Sequence, residues 1–133
     1  MELPAELWES PDDRRLVQAA TDAFATIPLI VTDKLTNAVF LNRRAEELFG
    51  ENAEALVNRT SYSLLGFGNR GNAPKVLPAA LLGESRPWRG VVEIHTPKGR
   101  EQHAAEASAV LRDGHFVCGL IRLAVKEATQ HDA

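Results

Sequence analysis

The chain has 133 residues, 44% of them hydrophobic, which is enough to bury one real core and too little for two comfortable domains. A formal charge of -3 and a pI near 5.8, with no cluster of Lys and Arg, argue against a nucleic-acid footprint. The single cysteine, Cys118, excludes an internal disulfide and a cysteine-based zinc site, the acidic start excludes a signal peptide, and no apolar run approaches a membrane span, so a cytoplasmic protein without a membrane partner is expected.

Residues 1–9 carry no periodic pattern beyond Leu3, Leu7 and Trp8 and read as an arm or short docking turn. Ser10, Pro11 and Asp13 then supply a capping hydroxyl, a first-turn proline and an acid three residues on, a helix start. The predicted helix, within a unit spanning 10–26, runs to about Ala25. Leu16, Ala20, Ala23 and Phe24 recur along one stripe opposite Arg14, Arg15, Gln18 and Asp22, so this face needs something to cover. The apolar run 27–32 reads as a buried strand stopped at Asp33, and 38–41 as a second strand. Asn42 sits where a helix cap belongs, Glu46 and Glu47 favour the positive helix end, and Gly50 is a C-terminal stop.

Residues 51–57 offer another short helix through Ala53, Leu56 and Val57. The stretch 66–74 is rich in glycine, asparagine and proline and reads as a loop; with no Gly-Lys-Ser/Thr and no feeding strand it is no phosphate cradle. Helical spacing resumes over 75–82 despite Pro78. The last third is an antiparallel meander of three strands, with turns at Lys98-Gly99 and Asp113-Gly114. In its final strand Phe116, Cys118 and Leu120 alternate with Val117, Ile121, Leu123 and Val125. Both faces are apolar, so the outer one must be covered, by the N-terminal helix, a second copy, or both.

The order strand, turn, strand, capped short helix resembles the opening of a PAS domain, a sensory module of bacterial signalling proteins. The positions that carry the resemblance are Pro28, Asp33, Asn42, Glu46, Leu48 and Gly50, then Trp88-Arg89-Gly90, Lys98-Gly99, Asp113-Gly114 and Gly119. Thr36-Asn37 departs from the usual Asp-Gly-like turn, and Asn58 stands where a second glycine is common. The resemblance covers about 12–129 and implies an α+β fold: a five-stranded antiparallel sheet with short helices on one face and an N-terminal amphipathic helix, the PAS-like part being 27–129 and the tail 130–133. It implies a non-catalytic sensor that binds a small ligand or mediates dimerisation and regulates a histidine kinase, cyclase or transcription regulator outside this chain.

The expected ligand pocket has Val92 and Ile94 as floor, Leu56, Leu65, Phe67, Val76 and Leu81 as walls, and Trp88 at the rim. The same residues also suit a plain core. A homodimer is expected through Leu16, Ala20, Ala23 and Phe24 with the outer face of the last strand. Where relatives end in Asp-Ile-Thr, this chain has Glu127, Ala128 and Thr129, so Glu127 and Thr129 are the expected signal exit. No cofactor is expected. Haem-binding relatives carry their histidine on the helix before the Trp-x-Gly strand, and 74–84 has none. Light-sensing relatives carry a reactive cysteine in an Asn-Cys-Arg-Phe-type motif, whereas Cys118 lies in the last strand and reads as a buried structural thiol; a non-covalent ligand remains open. The four histidines, His95, His103, His115 and His131, show no helical metal spacing, and His95 and His103 are expected to face each other across a hairpin. The alternative function is a small cone-fold lyase or isomerase with His103 and Asp33 as general base and orienter.

Overall fold

A computed structural model describes residues 3–59, 64, 65 and 73–124, with the backbone alone for residues 5 and 73–76. A 3-10 turn (Ala5–Leu7) precedes α1 (Pro11–Ala23), β1 (Leu29–Thr32), β2 (Ala38–Leu41), α2 (Arg43–Phe49), α3 (Ala53–Leu56), α4 (Ala73–Leu81), β3 (Trp88–Thr96), β4 (Gly99–Arg112) and β5 (His115–Leu123). The five strands form one antiparallel sheet in the order β2-β1-β5-β4-β3. This is the α+β fold expected from the sequence.

The local chemistry explains the boundaries. Ser10 Oγ accepts from the Asp13 amide and Pro11 opens α1, where its missing N–H costs nothing. The helix ends at Ala23, two residues before the expected stop. Asn42 caps α2 by accepting from the Ala45 amide at 3.0 Å, and Gly50 closes it in the left-handed region at φ 73. A side chain at Gly50 would also collide with the Pro97 ring. Asp33 accepts from the Leu35 and Asn37 amides, which makes the β1–β2 turn without glycine. Thr36 holds φ 63 there, a strained position for a β-branched residue.

Two apolar layers sandwich the sheet. The inner face packs Ile30, Leu41, Val92, Ile94, Ala105, Ala107, Ile121 and Leu123 against α2, α3 and α4. The outer face packs Leu29, Val31, Val39, Phe40, Val117, Cys118 and Leu120 under Trp8 and Val17. The N-terminal helix is therefore what covers the outer side of β5. The residues before it are fastened too: Trp8 is buried and donates its indole N–H to the Val117 carbonyl at 2.8 Å. Asp13 pairs with Arg112 at 2.6 Å, tying α1 to the β4–β5 turn, and that pairing raises the arginine pKa further. Val117 joins the outer cluster instead of the inner one, because the ladder slips between Val110 and Leu111 and leaves it as an extra residue.

The β3–β4 hairpin pairs Thr96 with Gly99, His95 with Arg100 and Val92 with His103. It is centred on Pro97-Lys98, and His95 pairs three positions away from the expected His103; an odd displacement puts the two side chains on opposite faces. His95 and His103 therefore do not meet: His95 is exposed on the outer side, and His103 is 3% exposed on the inner side.

Candidate functional site

Of the expected pocket residues, Leu56, Leu65, Leu81, Val92 and Ile94 are all buried in the inner cluster; α4 packs over β3, β4 and β5, while α3 packs against β2 at the other edge of the sheet. Trp88 is half-buried at the edge of that cluster. Its ring lies across Gly90, where any Cβ would press on it, a physical reason for the Trp-x-Gly pattern. Phe67 and the side chain of Val76 lie outside the described residues, as do Glu127 and Thr129.

Two further inner-face residues escaped the sequence reading. Thr32 is fully buried, and its Oγ1 has no hydrogen-bond partner among the described residues. An orphaned buried hydroxyl costs about 1–3 kcal/mol. Gly119 sits directly opposite Thr32 in the β1–β5 ladder, and a Cβ there would overlap Thr32 Oγ1 and come within 2.9 Å of the Leu81 carbonyl oxygen. The glycine thus lets α4 approach the sheet beside the hydroxyl. The only signal in the sequence was a threonine closing an apolar run and a glycine inside a strand, which marks close approach.

The stripe proposed for self-association is turned largely inward. Leu16, Ala20 and Phe24 are half-buried against the outer cluster, and Val17 and Thr21 form the most buried line of α1. Ala23 is exposed. Beyond the end of α1, the Arg122 guanidinium lies 4.7 Å over the Phe24 ring and pairs with Glu106, which also takes Arg89. Arg89, Glu106 and Arg122 line a shallow cleft of about 370 Å³ with Ile27.

The enzyme reading loses its pair. Asp33 is spent on turn amides, while the His103 ring contacts the Ala124 carbonyl and Glu101, with β5 lying between β1 and β4 in the sheet. Among the described residues no group of three or more His, Cys, Asp or Glu could hold a metal ion, and no helix is long and apolar enough to cross a membrane. Cys118 is fully buried on the outer face, away from the pocket residues, and burial pushes its thiol up from 9.0 to about 12.

No family model matches the chain, and no curated protein matches it in sequence. Solved structures do match in shape. The LOV protein of Rhodobacter sphaeroides superposes with a TM-score of 0.66 at 13% identity, over 84% of this chain and 66% of that one. The PAS domain of a Colwellia psychrerythraea protein gives 0.64 at 16% identity, over 82% and 95%. The PAS domain of nitrogen regulation protein NR(II) from Vibrio parahaemolyticus gives 0.59 at 14%, over 79% and 95%. The fold is the one that PAS and LOV domains share.

Proposed function

From the PAS fold as premise, we propose that the chain is a sensory domain that holds a small, mostly apolar molecule between the inner sheet face and the α3–α4 side, and passes the change to an effector outside the chain. The observation that carries this reading is the buried Thr32 hydroxyl, left without a partner among the described residues and set in the same inner layer as Leu56, Leu81, Val92 and Ile94. A polar atom in an apolar wall is what orients a ligand in such pockets. The effector class is a histidine kinase, cyclase or transcription regulator. Likeness to the LOV domain of a blue-light-activated histidine kinase of Erythrobacter litoralis supports the kinase. The signal leaves past β5, toward Glu127 and Thr129.

Native mass spectrometry of gently purified protein tests this. Wild type is expected to carry a bound small molecule, and Thr32→Val to retain much less of it. The same change, by removing an orphaned hydroxyl, is expected to stabilise the ligand-free protein by about 1 kcal/mol. A wild type that carries nothing after expression in several hosts, and whose melting temperature no apolar ligand raises, would overturn the reading.

A further inference from the structure

His103 is the buried titratable group that the sensory reading leaves unused. Its side chain is 1% exposed, and each ring nitrogen faces an oxygen: Nδ1 lies 2.8 Å from the Ala124 carbonyl, and Nε2 lies 3.1 Å from Glu101 Oε1. A carbonyl can only accept, and so can an ionised carboxylate, whereas a neutral imidazole has one N–H to give. Satisfying both contacts takes one proton more than a neutral ring and a carboxylate contain. With that proton on the ring, both nitrogens donate and both oxygens accept, which matches the two contacts.

We propose that His103 is a proton-operated latch on the end of β5: as imidazolium it ties the Ala124 carbonyl to Glu101, and on losing a proton it lets Ala124 go. The release follows from which bond survives. Hydrogen bonds to a charged acceptor are about twice as strong as neutral ones, so a single remaining proton stays on Nε2, facing Glu101. The Nδ1 lone pair then points at the Ala124 carbonyl oxygen, and the two repel. Ala124 follows the last residue of β5: its amide donates to the Ala104 carbonyl at 2.8 Å, and the Leu123 amide to the Pro28 carbonyl at 3.0 Å. The latch is closed while the ring carries both protons and opens when it carries one.

The described charged groups of the neighbouring elements have partners of their own. Opposite His103 in the β3 ladder is Val92. Glu93 and Arg100 pair on the outer face, as do Arg89 and Arg122 with Glu106. On α2, Glu46 accepts from the Ala53 amide and Glu47 pairs with Arg43 and Arg44. Among the described residues Glu101, which has a further interaction of its own, is the titratable group in contact with the ring. The latch rests on this geometry and does not need the sensory reading to hold.

Long-range ¹H–¹⁵N correlation on histidine-labelled protein, followed across pH, tests it together with amide exchange at Leu123 and Ala124 expressed as protection factors. Two protonated ring nitrogens are expected at the acid end and one, Nε2, at the alkaline end, with protection at Ala124 falling about three- to tenfold between them. Glu101→Gln is the paired control: its amide can donate to a bare Nε2, so the ring keeps Nδ1–H on Ala124 and protection becomes independent of pH. A ring that carries its single proton on Nδ1 throughout the folded range, or protection that is the same in both forms of the wild type, would overturn the proposal. So would a Glu101→Gln protein that keeps the wild-type pH dependence.

Discussion

Asn42 is a single residue that fixes three pieces of chain. Its Oδ1 accepts from the Leu29 and Ala45 amides at 3.1 and 3.0 Å, and its Nδ2 donates to the carbonyls of Phe24 and Ile27 at 3.2 and 2.8 Å. It therefore caps α2, aligns the start of β1 and holds the exit of α1. Asn42→Ala deletes a cap and leaves buried backbone groups unpaired, an expected loss of about 2–4 kcal/mol in denaturant unfolding. Asn42→Asp keeps the acceptors and turns the donors into a charge facing two carbonyls, so it rescues little. A different test applies to Cys118. A thiol whose folded pKa is raised, here to about 12, adds stability that is complete below the unfolded pKa and is lost as pH climbs from there to the folded value. Wild type is thus expected to lose stability more steeply than Cys118→Ala between about pH 9 and 12, by up to about 1.4 kcal/mol per pH unit. Equal slopes in paired urea titrations would show that burial of the thiol does not matter.

At the scale of elements, the capped helix and the strand alternation were legible because each rests on neighbours in sequence. The cap bonds of Asn42 to Ala45 and of Ser10 to Asp13, the Gly50 stop and the turn at Asp113-Gly114, with φ 54 and 80, all act over a few residues. What stayed hidden depended on distant partners or on a register choice. The Trp8 indole reaches Val117 across 109 positions, and nothing near Trp8 announces that. A register three positions away from the expected His95–His103 pair puts His103 in the inner layer and His95 on the other face, and one extra residue in β5 put Val117 on the outer side. Leu56, Leu65, Leu81, Val92 and Ile94 do fall in one buried cluster, whereas the pairing of Thr32 with Gly119 lies between distant strands and no local signal announces it. The N-terminal segment offers the clearest test of such a long-range contact. Trp8→Phe keeps the buried ring and removes its hydrogen bond, for an expected cost of about 1–3 kcal/mol because the Val117 carbonyl is left unsatisfied. Trp8→Ala also opens a cavity over β5, for about 3–5 kcal/mol. If both variants unfold at the wild-type midpoint, the segment is not part of the core.

For the whole molecule, the open question is how the outer face is shared. Trp8 and α1 cover the β1, β2 and β5 side, while Val91 of β3 remains 49% exposed on that face. We expect a homodimer that uses this remainder together with the exposed side of α1. Light scattering should then return the mass of two chains. Ala23→Glu, at an exposed position, should give a folded monomer; a wild type that is already monomeric at high concentration would rule the dimer out. Self-association is where the inward turn of Leu16, Ala20 and Phe24 bears most directly, because it leaves less apolar surface than the sequence suggested.

The strand order has a bearing on how the chain comes into being. β5, the last strand made, lies at the centre of the sheet, hydrogen-bonded to β1 on one side and β4 on the other. During synthesis β1 and β2 emerge early as a bare two-stranded ribbon, which is marginal in water, and their outer residues wait for Cys118 and Leu120. No partial product ending before residue 115 contains a completed sheet. Closing so many distant contacts is slow, and until it happens an apolar hairpin stands open to other nascent chains. The ribosome must deliver nearly the entire domain before any of its sheet can be sealed.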